Sequence, residues 1–191
     1  MQGIGFMKLF LEEYFKGYGE VALETIKHSE RVANLTERLL GGSDIGYIAG
    51  LLHDIGKSRI DAELLLYSSH PGPMQMERIR DHTYQGKQIL YEIERKAGPL
   101  DPRIHQGVLY HHERYDGSGY PFGLTGDNIP LIAVIIGLAD AYDAMLTRPY
   151  NNGKPLSQGK ALQKLQAGTK FDNSTMEKFI DMLKVARFLD H

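Results

Sequence analysis

Apolar positions recur at helical spacing along most of the chain. Val21, Ile26, Val32, Leu35 and Leu39–Leu40 fall on roughly one face of a 3.6-residue period, and Gly41-Gly42 ends that run. Ser43-Asp44 reads as the cap of a short helix over Ile45–Asp54, which Gly56 closes. A helical stretch near Asp61–Tyr67 precedes a break at His70-Pro71-Gly72-Pro73. Met74 to Lys96 reads as one helix, or as two with a bend around His82, and Gly98-Pro99 ends it. Asp101 at the cap and Pro102 at the first turn open the next helix, which runs to about His112. A glycine-rich loop, Glu113 to Asn128, follows. Pro130 to Thr147 is then a strongly apolar helix, and an irregular segment covers Arg148 to Pro155. Two closing helices are expected near Ser157–Gln166 and Ser174–Leu189, each with a serine near its start. No alternating strand pattern persists, and no repeat or linker breaks the run, so the pattern predicts one all-α domain. Residues 1–18 read as a separate amphipathic helix with Phe6, Leu9, Phe10 and Phe15 on its apolar side. It would serve as a cap on the core or as a dimer contact, with the domain proper spanning residues 19–191.

Composition narrows the chemistry. The chain has 191 residues, a length suited to one domain, and a net charge of −2 with neutral histidines. That charge gives no bulk attraction to a nucleic-acid polymer or an anionic membrane. Cysteine is absent, which excludes disulfides, thiolate zinc sites, iron–sulfur clusters and cysteine nucleophiles. The longest apolar stretch, Ile129–Leu146, is interrupted by Pro130, Asp140 and Asp143 and is too polar to span a bilayer. Met1 to Phe15 lacks the features of a secretory signal, so a cytoplasmic location is expected. Any metal site must be built from imidazole and carboxylate, and the chain holds eight histidines.

Several of them stand where burial would be costly without partners. His53-Asp54 closes an apolar helix, with Lys57 one turn on as a candidate phosphate cation. Glu24 and His28 are four apart and share a helix face. His82 stands mid-helix, and His111-His112 ends the helix before the glycine-rich loop. Asp140 lies in a helix apolar on nearly every side, where a carboxylate must be paired or bind a metal. Asp143, three residues on, lies beside it or pairs with Arg148. His28, His53, Asp54, His82, His111, His112 and Asp140, with Glu24 as an eighth candidate, have the composition of a binuclear or trinuclear centre. Such nitrogen and oxygen donors suit iron, manganese or zinc, with Asp54 as the choice of bridging carboxylate. Paired metals favour phosphoryl chemistry, in which a bridging hydroxide attacks phosphorus.

The sequence resembles the HD-GYP domains, a branch of the HD phosphohydrolase superfamily, from roughly Glu20 to the C-terminus. The matching runs are His28-Ser-Glu-Arg-Val32, Leu52-His-Asp-Ile-Gly-Lys57, His82-Thr-Tyr-Gln-Gly86, His111-His-Glu-Arg-Tyr-Asp-Gly-Ser-Gly-Tyr-Pro121, Gly123-Leu-Thr-Gly-Asp-Asn-Ile-Pro130 and Ala139-Asp-Ala-Tyr-Asp-Ala-Met145. The resemblance implies an HD-type helical bundle that hydrolyses the bacterial second messenger cyclic di-GMP to pGpG and, in many members, GMP. It implies the ligand set above with two or three divalent ions, iron or manganese. Glu24 stands where members with three metals carry a further ligand, which favours three here. It further implies Lys57 near the scissile phosphate, Tyr120 at the ligand and Arg148 on phosphate or guanine, with Asp143 counted among the substrate-binding residues. A diguanylate-cyclase (GGDEF) domain would bind through the GYP loop. Two departures touch the grip on substrate: Leu146-Thr147-Arg148 is shorter than in the family, and Asn151 replaces a second basic residue. The competing readings are hydrolysis of another cyclic dinucleotide or nucleotide, a di-iron oxygenase, and a non-catalytic cyclic di-GMP receptor.

Overall fold

Short polar side chains stand at the helix starts. Ser43 accepts the Gly46 amide at 3.5 Å, and Asp101 accepts the Arg103 amide at 2.9 Å, with Pro102 in the first turn. The protein, a computed structural model, is described over residues 3–67, 71–149 and 153–189. Among these residues ten α-helices follow one another: α1 Ile4–Tyr14, α2 Glu20–Leu39, α3 Asp44–Leu52, α4 Ala62–Tyr67, α5 Pro73–Arg80, α6 His82–Ala97, α7 Pro102–Tyr110, α8 Leu131–Thr147, α9 Gln158–Gln166 and α10 Asn173–Leu189. Short 3-10 turns lie at Ile55–Arg59 and Gly126–Asn128. No strand forms among the described residues, and one isolated bridge, Asp116 to Thr125, pinches the glycine-rich loop. The all-α expectation holds. The predicted break at His70, the substituted position Asn151 and His191 lie outside the described residues.

α3 is the hub. Every residue from Gly46 to Leu52 is buried, because α1, α2 and α7 cover it from different sides. Val32 and Ala33 of α2, Ile89, Leu90 and Ile93 of α6, Ile104 and Val108 of α7, and Ile132 and Ile136 of α8 complete this core. Burying each Leu or Ile stabilises by about 1.5–3 kcal/mol, so the hub is held from all sides at once. A second apolar cluster joins the other face of α8, through Leu138 and Tyr142, to Ala161, Leu165 and Phe179 of the closing helices. α8 is therefore apolar almost all round because it serves two cores, and Asp140 is carried between them.

The end of α3 and the role of Gly56 differ from the sequence reading. α3 stops at Leu52, and His53-Asp54 turn out of it into the Ile55–Arg59 turn. Gly56 does not close a helix; it brings that turn against α6, where a Cβ would overlap the His82 carbonyl and the Gly86 amide. The span from Met74 to Lys96 is two helices, the second of the two readings, parted at Asp81 beside His82. α1 packs through Met7, Phe10 and Leu11, with Phe15 buried just beyond its end. Phe6 and Leu9 face solvent, because the packed stripe is centred on positions 7, 10 and 11 rather than 6 and 9.

Candidate metal centre

Five helices deliver ligand atoms to a common floor. His28 comes from the middle of α2, His53 and Asp54 from the end of α3, and His82 from the first position of α6. His111 and His112 come from the end of α7, and Asp140 from α8. They form two groups, Asp54–His82–His111–His112 and His28–His53–Asp140. Within each, one ligand atom per residue lies within 4.8 Å of all the others. Asp54 reaches both groups. Its Oδ1 is 3.3 Å from His82 Nε2 and 3.9 Å from His111 Nε2. Its Oδ2 is 3.4 Å from His53 Nε2 and 3.8 Å from His28 Nε2. Asp140 Oδ1 lies 3.1 Å from His28 Nε2.

The rings are aimed by their far nitrogens. Nδ1–H of His53, His82 and His111 donates to the carbonyl three residues earlier, of Gly50, Ile79 and Val108, at 2.7, 2.7 and 2.9 Å. This tautomer turns the Nε2 lone pair toward the floor. His28 Nε2, His53 Nε2 and Asp54 Oδ1 are buried with no partner in hydrogen-bonding geometry. Such orphaned lone pairs are costly in a protein interior, and converging cations would satisfy them. The residues present therefore fit metal ions of the kind that imidazole and carboxylate bind.

Electrostatics agree. Burial pushes His82 down to about 4 and His111 and His112 well below the ordinary histidine range, so these rings are neutral with free lone pairs at neutral pH. At Asp54 burial opposes ionisation, but Lys57 and His53 outweigh it and hold the carboxyl well below its usual range. At Asp140, His28 and His53 do the same. His28 goes the other way: burial lowers it, yet the neighbouring carboxylates of Asp140 and Asp143 together raise it.

Above the floor opens a cleft of about 450 Å³ lined in part by His28, Asp54, Arg31, Lys57, Glu24 and Arg148. Lys57 is ion-paired to Asp54, and Arg148 stands exposed at the rim. Three positions differ from the sequence reading. Glu24 joins neither ligand group: one turn before His28 it sits at the cleft mouth, its side chain 72% exposed and 3.6 Å from Lys27. Asp143 does not face substrate space or Arg148. It lies beneath His28 with both oxygens engaged, by His28 Nδ1 and the Arg31 guanidinium. Tyr120 stacks on His112 with centroids 4.6 Å apart, and Arg80 sits 5.1 Å over the same ring. Tyr120 thus buttresses His112, with the Arg80 guanidinium against the tyrosine ring.

Sequence reasoning missed Arg31, Arg80, Glu113 and Arg114. Glu113 is buried, and its two oxygens accept the Phe122 and Leu124 amides at 2.7 and 2.9 Å, folding the glycine-rich loop back over His112. A carboxylate beside two histidines, with a loop of unpaired amides after it, was the available signal. Arg114 donates to the His111 and Glu113 carbonyls, both at 2.8 Å, and closes the end of α7. Nothing in the local sequence marks Arg31 or Arg80, whose partners come from distant segments.

A model of the HD domain family matches residues 45–175. The chain is 36% identical to a cyclic di-GMP phosphodiesterase of Thermotoga maritima, over 85% of this chain and 45% of that protein. It is 37% identical to the cyclic di-GMP phosphodiesterase response regulator RpfG of Xanthomonas campestris, over 84% of this chain and 42% of that one. A 3'3'-cGAMP-specific phosphodiesterase of Vibrio cholerae is 35% identical over 78% of this chain and 33% of its own length. The chain thus spans less than half the length of these curated relatives. Among solved structures, the HDG"Y"P protein Bd1817 of Bdellovibrio bacteriovorus aligns with a TM-score of 0.64 at 20% identity, over 94% of this chain and 62% of that one. The PgpH HD domain of L. monocytogenes, solved with cyclic-di-AMP, aligns at 0.62 and 18% identity, over 92% and 94%. These two likenesses concern the fold. With its helical architecture and its His-Asp floor, the chain belongs to the HD domain family.

Proposed function

We propose that this chain is a metal-dependent phosphodiesterase that hydrolyses cyclic di-GMP to pGpG and onward to GMP. The observation that carries the reading is Asp54. One carboxylate is shared between two groups of ligand atoms at the bottom of a cation-lined cleft. Two divalent ions, iron or manganese, when bound would supply the hydroxide nucleophile and neutralise charge on the attacked phosphate. His28, His53 and Asp140 would hold one, His82, His111 and His112 the other, and Asp54 both. Glu24 belongs to neither group and its carboxylate is largely in solvent, which supports two ions rather than three. Lys57 is placed to donate to a phosphate oxygen on the floor and to give a proton to the departing ribose oxygen. Arg31 and Arg148 line the same cleft, where the second phosphodiester's charge would lie.

Relatives of near-equal identity bear cyclic di-GMP and 3'3'-cGAMP in their names, so hydrolysis of 3'3'-cGAMP is the second reading. The intact ligand set gives no support to a non-catalytic receptor. The reading includes a cytoplasmic location, where an intracellular second messenger is met. No helix among the described residues is long and apolar enough to cross a membrane. Exposed Phe122 and Tyr115 offer the GYP loop's face to a GGDEF-domain partner, and exposed Phe6 and Leu9 offer a face for homodimer contact. The test is anaerobic reconstitution with ferrous iron or manganese, followed by each dinucleotide separately and chromatography of the products. Formation of pGpG or GMP by the wild type and not by Asp54→Ala is expected. A metal-loaded protein that leaves both dinucleotides intact contradicts the reading.

A further inference from the structure

One ligand histidine is supported differently from the others. His53, His82 and His111 each rest on the main-chain carbonyl three residues earlier, a neutral dipole that any helical turn supplies. His28 Nδ1–H instead donates to Asp143 Oδ2 at 2.7 Å, and Asp143 belongs to α8, 115 positions away. Behind Asp143 stands Arg31 of α2, whose Nε donates to Oδ1 at 2.6 Å and whose Nη2 donates to Oδ2 at 3.0 Å. This two-bonded fork matches the planar guanidinium to the planar carboxylate, a geometry lysine cannot reproduce. Asp143 has a side chain only 5% exposed, while Arg31 reaches the cleft at 40%.

Packing alone does not account for this arrangement. Burying the Asp143 carboxylate costs desolvation that an apolar side chain of similar volume would avoid. Orientation alone does not account for it either, since three neighbouring rings are oriented by carbonyls. A charged acceptor adds what a carbonyl lacks: negative charge behind the ring, which strengthens the Nε2 lone pair toward a cation. We propose that Arg31 and Asp143 are positioning residues for His28. Through them, the half-site of His28, His53 and Asp140 depends on a cross-helix charge relay that the His82–His111–His112 half-site does not use. The inference rests on the two-ion reading given above.

The consequence is selective, because breaking the relay weakens one ion and spares the other. The experiment titrates the full chain with manganese alone, in competition with a fluorescent chelator, and counts ions per chain. The variants are Asp143→Asn, Arg31→Lys and Arg31→Met, with thermal unfolding and circular dichroism on each. Arg103→Met, which breaks a surface fork of similar geometry to Asp101, is the control. Wild type and control are expected to bind two ions. Asp143→Asn and Arg31→Met are expected to lose about 10–100-fold in affinity for one ion while the other stays at the wild-type value. Arg31→Lys, which keeps the charge but loses the fork, is expected to fall between. Asp143→Asn and Arg31→Met binding both ions as tightly as wild type overturns the relay and leaves the two-ion reading standing. Equal weakening of both ions also overturns it, since that is general loosening of the floor. Wild type that binds no manganese overturns the two-ion reading and the relay together.

Discussion

At the floor of the cleft, seven side chains are brought together by five helices, and most are buried. At the rim, Glu24 and Arg148 stand in solvent and Lys57 is only half-buried. The floor is fixed because each buried polar atom needs a partner: every imidazole but His112 is anchored at its far nitrogen in a hydrogen bond of 2.9 Å or less. The rim meets no such demand, since water satisfies whatever the protein does not. Chemistry that must be geometrically exact is thus placed where desolvation enforces it, and substrate grip is left to side chains free to move.

Substitutions can break this contrast in order of size. Asp54→Ala removes the carboxylate common to both halves of the floor, and hydrolysis should fall on the order of 10³–10⁴-fold with loss of bound metal. Lys57→Met removes the cation poised between floor and rim. The rate constant should drop about 10²-fold while the metal count, read on the same sample, stays at the wild-type value. Gly56→Ala attacks the floor's support, because its Cβ overlaps the His82 carbonyl. We expect a loss of about 3 kcal/mol, seen as a melting temperature lower by roughly 6–12 °C.

Acid should separate floor from rim without any substitution. His82 falls to about 4 in the folded protein against about 6.5 unfolded, so the unfolded chain takes up its proton first. That contribution to stability is fully present above about pH 6.5 and is lost as pH falls toward 4. His111 and His112 act in the same direction, and His28, which is raised, acts against them. Denaturant unfolding of the metal-free protein should therefore show about 1–2 kcal/mol less stability at pH 5 than at pH 7. Arg148→Ala, confined to the rim, should have the smallest effect: KM about 5-fold higher and kcat unchanged.

The same contrast explains what could be read from the chain. Asp140 in an apolar helix and His53-Asp54 at the end of another were legible because burying such groups without a purpose is expensive, and the structure places both on the floor. The helices were legible for a related reason, since each buried stripe repeats at helical spacing. Glu24 lies outside both ligand groups: a four-residue spacing shows a shared helix face but not which of its ends reaches the cluster. For Asp143 the sequence offers Asp140 and Arg148 as near neighbours. Its true partner, Arg31, is 112 positions away, and only the packing of α2 on α8 reveals it. Tyr120 required the loop's fold, which hangs on Glu113.

The central claim is that Asp54 is shared by two ions and that Glu24 holds none. Anomalous diffraction from crystals of the manganese-loaded protein tests it most directly. The account predicts two peaks, one beside His28, His53 and Asp140 and one beside His82, His111 and His112, with Asp54 between them. A single peak, or a further peak at Glu24, would contradict it.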